Sequence, residues 1–151
     1  VHAEAARLEG TVLPLLERGC TVVVDHFGRP DPTLGVSDPG FQWLLSMAGQ
    51  PNLFVKLSAP YRNWDQKTEA GRNSARDAAR LLLEAYTPAR LMWGSDWPHT
   101  QFETSQSYGQ SLEDIKALLP DESTRIAVLS ETARRFYRFR DSAPEIKKQH
   151  S

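Results

Sequence analysis

The chain has 151 residues, with 40% hydrophobic and 25% charged side chains, which suits one ordinary soluble domain. Eighteen basic residues stand against nineteen acidic ones, for a net charge of -1. That balance argues against a nucleic-acid partner, which needs a basic excess or stripe. No run of apolar residues is long enough for a membrane span, and no signal peptide is visible. A single cysteine, Cys20, excludes an internal disulfide and points to a cytoplasmic location. Beside a strand it is expected to be a buried thiol.

In chain order, helices and strands alternate. The opening Val1-His2-Ala3-Glu4-Ala5-Ala6-Arg7 reads like the middle of a polar helix. The helix continues through Leu8, Val12, Leu15 and Leu16 and ends at Gly19. A first strand, Thr21 to Val24, is continuously apolar and runs into Asp25-His26-Phe27-Gly28-Arg29-Pro30-Asp31. After a loop from Pro30 to Val36, Asp38-Pro39 reads as an N-cap followed by proline at the first helical position. That helix carries Phe41, Trp43, Leu44, Leu45 and Met47 and stops near Gly49.

A second strand, Leu53 to Leu57, leads into Ser58-Ala59-Pro60-Tyr61-Arg62. A helix from about Arg72 to Tyr86 has one apolar face, formed by Ala75, Ala78, Ala79, Leu82 and Leu83. A third strand, Arg90 to Trp93, runs into Gly94-Ser95-Asp96-Trp97-Pro98-His99. Helical segments follow over about Ser107 to Leu118 and Asp121 to Phe139, the latter with a break near Ser130. The basic run Arg134 to Arg140 reads as a solvated helix face.

Apolar strands separated by helices predict parallel βαβ units, in a doubly wound sheet or a (β/α) barrel. Three strands do not close a barrel, so the reading is one domain over residues 1–151 that forms part of something larger. All three strands end in polar residues, and ligands in parallel α/β folds bind at those carboxyl ends.

Each candidate has a plainer alternative. His26 is either a core histidine or a site residue, and the strand before it and Gly28 after it favour the site. Asp25 reads as a structural carboxylate. Asp96 is either a loop aspartate or a base; burial among the flanking indoles of Trp93 and Trp97 would raise its pKa and suit a base. His99 supports a neighbour, contacts substrate or is a plain loop residue. Arg29 and Arg62 are surface salt-bridge residues or carboxylate-binding forks, and two forks suggest a small anionic substrate. Lys56 is an ion-pair partner or an outward-facing residue. No Walker-type loop, G-x-G-x-x-G, C-x-x-C or G-x-S-x-G is present.

The segments VVVDHFGRPD, FVKLSAPYR, LMWGSDWPH and SETARRFYRF resemble the C-terminal half of amidohydrolase-2-type proteins, a (β/α)8-barrel family. The DH-x-GR-P pattern with a following Tyr-Arg is most similar to the lactonases that open 2-pyrone-4,6-dicarboxylate in aromatic-ring degradation. The resemblance implies an α/β fold: about three βα units plus C-terminal helices of a TIM-type barrel, whose full length is typically about 250 residues. It implies that Asp96 activates the hydrolytic water, that His26 polarises the scissile carbonyl, and that Arg29 and Arg62, with Tyr61 and His99, bind substrate. It implies no required cofactor, or else a divalent metal such as zinc held in part by His26 and Asp96. The alternative activities are a metal-dependent sugar-lactone hydrolase, a related decarboxylase, or an inactive truncated product. The family's first strand carries a His-x-His pair that is absent here, where the histidines are His2, His26, His99 and His150. The chain is therefore expected to need the N-terminal half of the barrel, and to be poorly soluble and inactive alone.

Overall fold

The computed structural model describes residues 1–139. Three strands, β1 (Val22–Val24), β2 (Leu53–Ser58) and β3 (Leu91–Gly94), form one parallel sheet in the order β1-β2-β3. The register pairs Val22 with Leu53 and Val24 with Val55. On the other side of β2, Val55 pairs with Leu91 and Ser58 with Gly94. Helices α1 (Leu8–Glu17), α2 (Pro39–Ser46) and α3 (Glu69–Tyr86) precede and connect the strands. Helices α4 (Tyr108–Leu118), α5 (Glu122–Ile126) and α6 (Thr132–Tyr137) follow them.

Alternation along the strands fixes which face meets the helices. Val22, Val24, Leu53, Val55, Leu57 and Leu91 are buried in the core with Leu8, Val12, Phe41, Leu44 and the α3 residues Ala75, Ala78, Ala79, Leu82 and Tyr86. Small residues on α3 let that helix lie close to its neighbours. The Tyr86 hydroxyl donates to the Leu44 carbonyl at 2.7 Å, which ties α3 to α2. Val23, Phe54 and Lys56 are half-buried on the opposite face. Phe54 meets Phe136 of α6 edge-on, with ring centroids 4.8 Å apart.

Local signals in the sequence act as expected at most element ends. Asp38 caps α2, accepting from the backbone N–H of Gly40 and Phe41, with Pro39 at the first turn. Thr68 and Ser107 cap α3 and α4 in the same way. Gly19 adopts φ 75° just past α1. The break near Ser130 is a π-helical segment over Ala127–Glu131 between α5 and α6.

Three expectations are corrected. Val1 to Glu4 are not helical: the N-terminal amine donates to the Val23 carbonyl and Asp25 N–H donates to the Val1 carbonyl, so the segment lies along β1. A single 3-10 turn, Ala5–Arg7, then leads into α1. Cys20 is exposed, because it sits in the turn before β1 and not in the strand. Helix α3 begins at Glu69, ahead of Arg72, because Thr68 supplies the cap. In the basic run, Arg134, Arg135 and Arg138 are exposed, and Arg140 lies outside the described residues.

Gly40 packs where α2 crosses the N-terminal turn, and a Cβ there would collide with the Ala5 carbonyl. Gly49 has open space around it. Gly40→Ala should therefore destabilise the protein by about 2 kcal/mol or more, while Gly49→Ala should be within about 0.5 kcal/mol of the parent. Urea unfolding of the two variants checks this.

Candidate active site

The carboxyl ends of β1, β2 and β3 converge on one polar cluster. Each strand stops in a left-handed residue that turns the chain sharply. His26 has φ 51° after β1, Ala59 has φ 48° after β2 and Asp96 has φ 61° after β3. Non-glycine residues rarely adopt this region, and each costs about 1–2 kcal/mol, so packing must hold them there. The turn at His26 keeps its side chain from alternating with Asp25 as it would in a continuing strand. The Asn63 side-chain amide donates to the His26 carbonyl at 2.9 Å and pins that turn.

Asp96 is the centre of the cluster. Its Oδ2 accepts from the Tyr61 hydroxyl and from Arg62 Nε, both at 2.6 Å. Its Oδ1 lies 3.5 Å from His26 Nε2. His26 Nδ1 is 2.8 Å from Ser58 Oγ, and His99 Nδ1 is 3.1 Å from the Tyr61 oxygen. The Arg62 guanidinium also donates through Nη2 to the Thr100 carbonyl and lies 5.2 Å from the Phe102 ring centroid.

Electrostatics assign the protonation states. Burial pushes the Asp96 carboxyl up, but the hydrogen bonds from Tyr61 and Arg62 and the nearby positive charge outweigh it. The net shift is downward from the usual carboxylate value. This corrects the expectation of a raised pKa: Trp97 is 76% exposed, and the carboxylate faces donors instead of indoles. Burial likewise lowers His26 to about 4, against the opposing pull of Asp96 and Asp25. At neutral pH the His26–Asp96 contact therefore joins a neutral ring to a carboxylate. Tyr61 is raised, first by burial and then by the Asp96 carboxylate, and remains a donor.

Two cavities adjoin the cluster. One, of about 390 Å³, is lined by His2, His26, Lys56, Ser58, Ser95 and Asp96, among others. The other, of about 280 Å³, includes both Arg29 and Arg62 in its wall, with Asn63, Glu4 and Asp31. Lys56 and Asp25, which both line the first cavity, form an ion pair at 2.9 Å. Arg29 Nη1 donates to His2 Nε2 at 2.6 Å, and the His2 ring meets the His26 ring edge-on at 5.0 Å.

Of the residues singled out by sequence, His26, Asp96, Tyr61, Arg62 and His99 form one connected network, and Arg29 shares a cavity with Arg62. Tyr61 and His99 are placed behind Asp96: Tyr61 bonds the carboxylate and His99 bonds Tyr61. His99 is buried and lines neither cavity. Sequence reasoning passed over Asn63 and His2. Asn63 directly follows the Tyr-Arg pair, which was a usable signal. His2 reaches the site only because the N-terminal segment lies along β1.

Among the described residues no group of three or more His, Cys, Asp and Glu side chains is placed to hold a metal ion. His26 and Asp96 supply two donors, and zinc sites use at least three protein ligands. The described residues therefore do not fit a metal without donors from elsewhere. No helix among them is long and apolar enough to cross a membrane.

Comparison with known proteins defines the class first. Residues 11–139 match the family described as Amidohydrolase, and the chain belongs to that family. Its three βα units and trailing helices are the C-terminal part of a TIM-type (β/α)8 barrel. Among individual relatives, 2-pyrone-4,6-dicarboxylate hydrolase of Comamonas testosteroni is 34% identical over 125 residues, covering 78% of this chain and 41% of that protein. The 4-sulfomuconolactone hydrolase of Hydrogenophaga intermedia is 29% identical over 140 residues, covering 91% of this chain and 43% of that protein. A crystal structure of a Pseudomonas putida protein assigned as a 2-pyrone-4,6-dicarboxylic acid hydrolase superposes with a TM-score of 0.83 at 40% identity. It covers 90% of this chain and 50% of that one. These relatives are lactone hydrolases by name, and the chain spans half of their length or less.

The lowered pKa of His26 has a consequence for stability. The unfolded chain takes up a proton on this ring as the pH falls through about 6.5. The folded chain does so only near 4. The contribution is fully present above the unfolded value, and about 3 kcal/mol is lost as the pH drops toward the folded value. Urea unfolding at about pH 7 and pH 4.5 should show this loss, and His26→Asn should reduce it.

Proposed function

We propose that this chain carries the water-activating half of a lactone hydrolase acting on a carboxylated lactone such as 2-pyrone-4,6-dicarboxylate. The observation that carries the reading is the 3.5 Å approach of Asp96 Oδ1 to His26 Nε2 across one cleft, beside a cavity whose wall includes Arg29 and Arg62. Ester hydrolysis needs a base for water and a donor for the oxygen that gains charge. Asp96 is ionised and can accept the water proton through Oδ1, the oxygen that Tyr61 and Arg62 leave open. An N–H at His26 Nε2 lies close enough to the same cleft to polarise a carbonyl.

Arg29 and Arg62 suit the remote carboxylates. Arg62 uses Nε and Nη2 on Asp96 and Thr100 but makes no hydrogen bond through Nη1 among the described residues. Each guanidinium can offer a planar pair of donors to an anion. The two relatives reported above support this reading, since both of their named substrates are lactones that bear acidic groups. Tyr61 and His99 hold Asp96 in place.

In this reading the remaining strands of the barrel come from sequence outside this chain, and hydrolysis needs them. The 151 residues alone should be inactive. In a complete barrel containing this sequence, Asp96→Asn should lower kcat about 10²–10⁴-fold with little change in substrate binding. Steady-state assays on a panel of carboxylated and uncharged lactones, with and without chelator, check this. Near-normal turnover by the Asn variant, or a preference for uncharged lactones, would contradict the assignment.

A further inference from the structure

We propose that Ser58 is a positioning residue: its hydroxyl donates to Nδ1 of His26 and so keeps the ring proton on Nε2, facing Asp96. The inference deepens the reading of His26 and Asp96 as the reacting pair and rests on it for its catalytic meaning.

His26 is 6% exposed, and each ring nitrogen has one polar neighbour. Nδ1 lies 2.8 Å from Ser58 Oγ and Nε2 lies 3.5 Å from Asp96 Oδ1. A neutral imidazole has one N–H and one bare nitrogen. An ionised carboxylate oxygen only accepts. If the proton sat on Nδ1, the Nε2 lone pair would face the Asp96 oxygen and the two would repel. With the proton on Nε2, Asp96 faces an N–H, and the bare Nδ1 needs a donor. Ser58 is 3% exposed, and its side-chain bond runs to His26. Only the second arrangement avoids that repulsion and gives the hydrogen bond at Nδ1 a donor.

The choice of serine matters because a hydroxyl can donate or accept, whereas a carboxylate or carbonyl at the same place could only accept. An acceptor would draw the proton to Nδ1 and leave Nε2 bare, the form a metal-binding histidine needs. Ser58 permits the opposite form, in which the ring presents an N–H to the cleft. The position is set by the fold: Ser58 closes β2 opposite Gly94 of β3, on the face that carries Lys56.

The test is the ring's own 15N spectrum. Magic-angle-spinning spectra of 15N-histidine-labelled protein read a sedimented sample as well as a dissolved one, and His26→Asn identifies the His26 signals. The expected result is a protonated Nε2 and a hydrogen-bonded, unprotonated Nδ1. In Ser58→Ala the Nδ1 signal should move downfield toward an unbonded nitrogen, and Ser58→Thr should restore it. A protonated Nδ1 in the parent protein overturns the proposal, and that spectrum decides the matter even if Ser58→Ala does not fold. An unchanged Nδ1 signal in Ser58→Ala overturns it as well. A complete barrel with an Nε2–H ring but no lactone hydrolysis would defeat the proposed function while leaving the assignment of Ser58 intact.

Discussion

A carboxylate held ionised in a half-buried cleft is the constraint on which the site depends. Asp96 loses hydration there, and it keeps its charge because Tyr61 and Arg62 each place a donor 2.6 Å from one oxygen. That concentrates the restraint on Oδ2 and leaves Oδ1 toward His26. Charge-assisted bonds of this length are strong and directional, so they orient the group as well as stabilise it. His99 extends the restraint by contacting the Tyr61 oxygen, and the Phe102 ring lies 5.2 Å from the guanidinium. The carboxylate is thus prepared as a base before any substrate arrives.

The fold serves this arrangement by ending its strands abruptly. Regular β geometry would send successive side chains to opposite faces. Left-handed residues at His26, Ala59 and Asp96 break that alternation just past the carboxyl end of each strand. Side chains from three strands can then meet across one cleft. The strained turns are held by the core beneath them, where α1 packs on β1 and α3 packs on β3 and on the His26 turn, and by the Asn63 bond to the His26 carbonyl. Strain of this kind persists where surrounding contacts over-determine the backbone.

Much of this was legible in the sequence. β-Branched and apolar runs flanked by capped helices marked the parallel α/β order, and polar residues after every strand are the ones that meet in one cluster. Asp38-Pro39 marked a helix start because capping chemistry is local. What stayed hidden depends on tertiary placement. The path of Val1 to Glu4 along β1 brings His2 to the cleft, and nothing in those four residues announces it. The exposure of Cys20 turned on where the strand began. The pKa of Asp96 was misread because the neighbouring tryptophans are close in sequence, while the groups that set its charge, Tyr61 and Arg62, come from the adjacent strand end. The hydrogen bond of Tyr61 to Asp96, and the contact of His99 with Tyr61, likewise join strand ends that lie far apart in the sequence.

The central claim is that donors from the β2 turn hold Asp96 ionised against the cost of burial. A 13C NMR titration of the aspartate carboxyls, with the Asp96 signal identified by its absence in Asp96→Asn, measures this directly. The account predicts an Asp96 pKa below 3.8, the ordinary value for the residue. A midpoint above that value would show burial dominating, and would contradict the account.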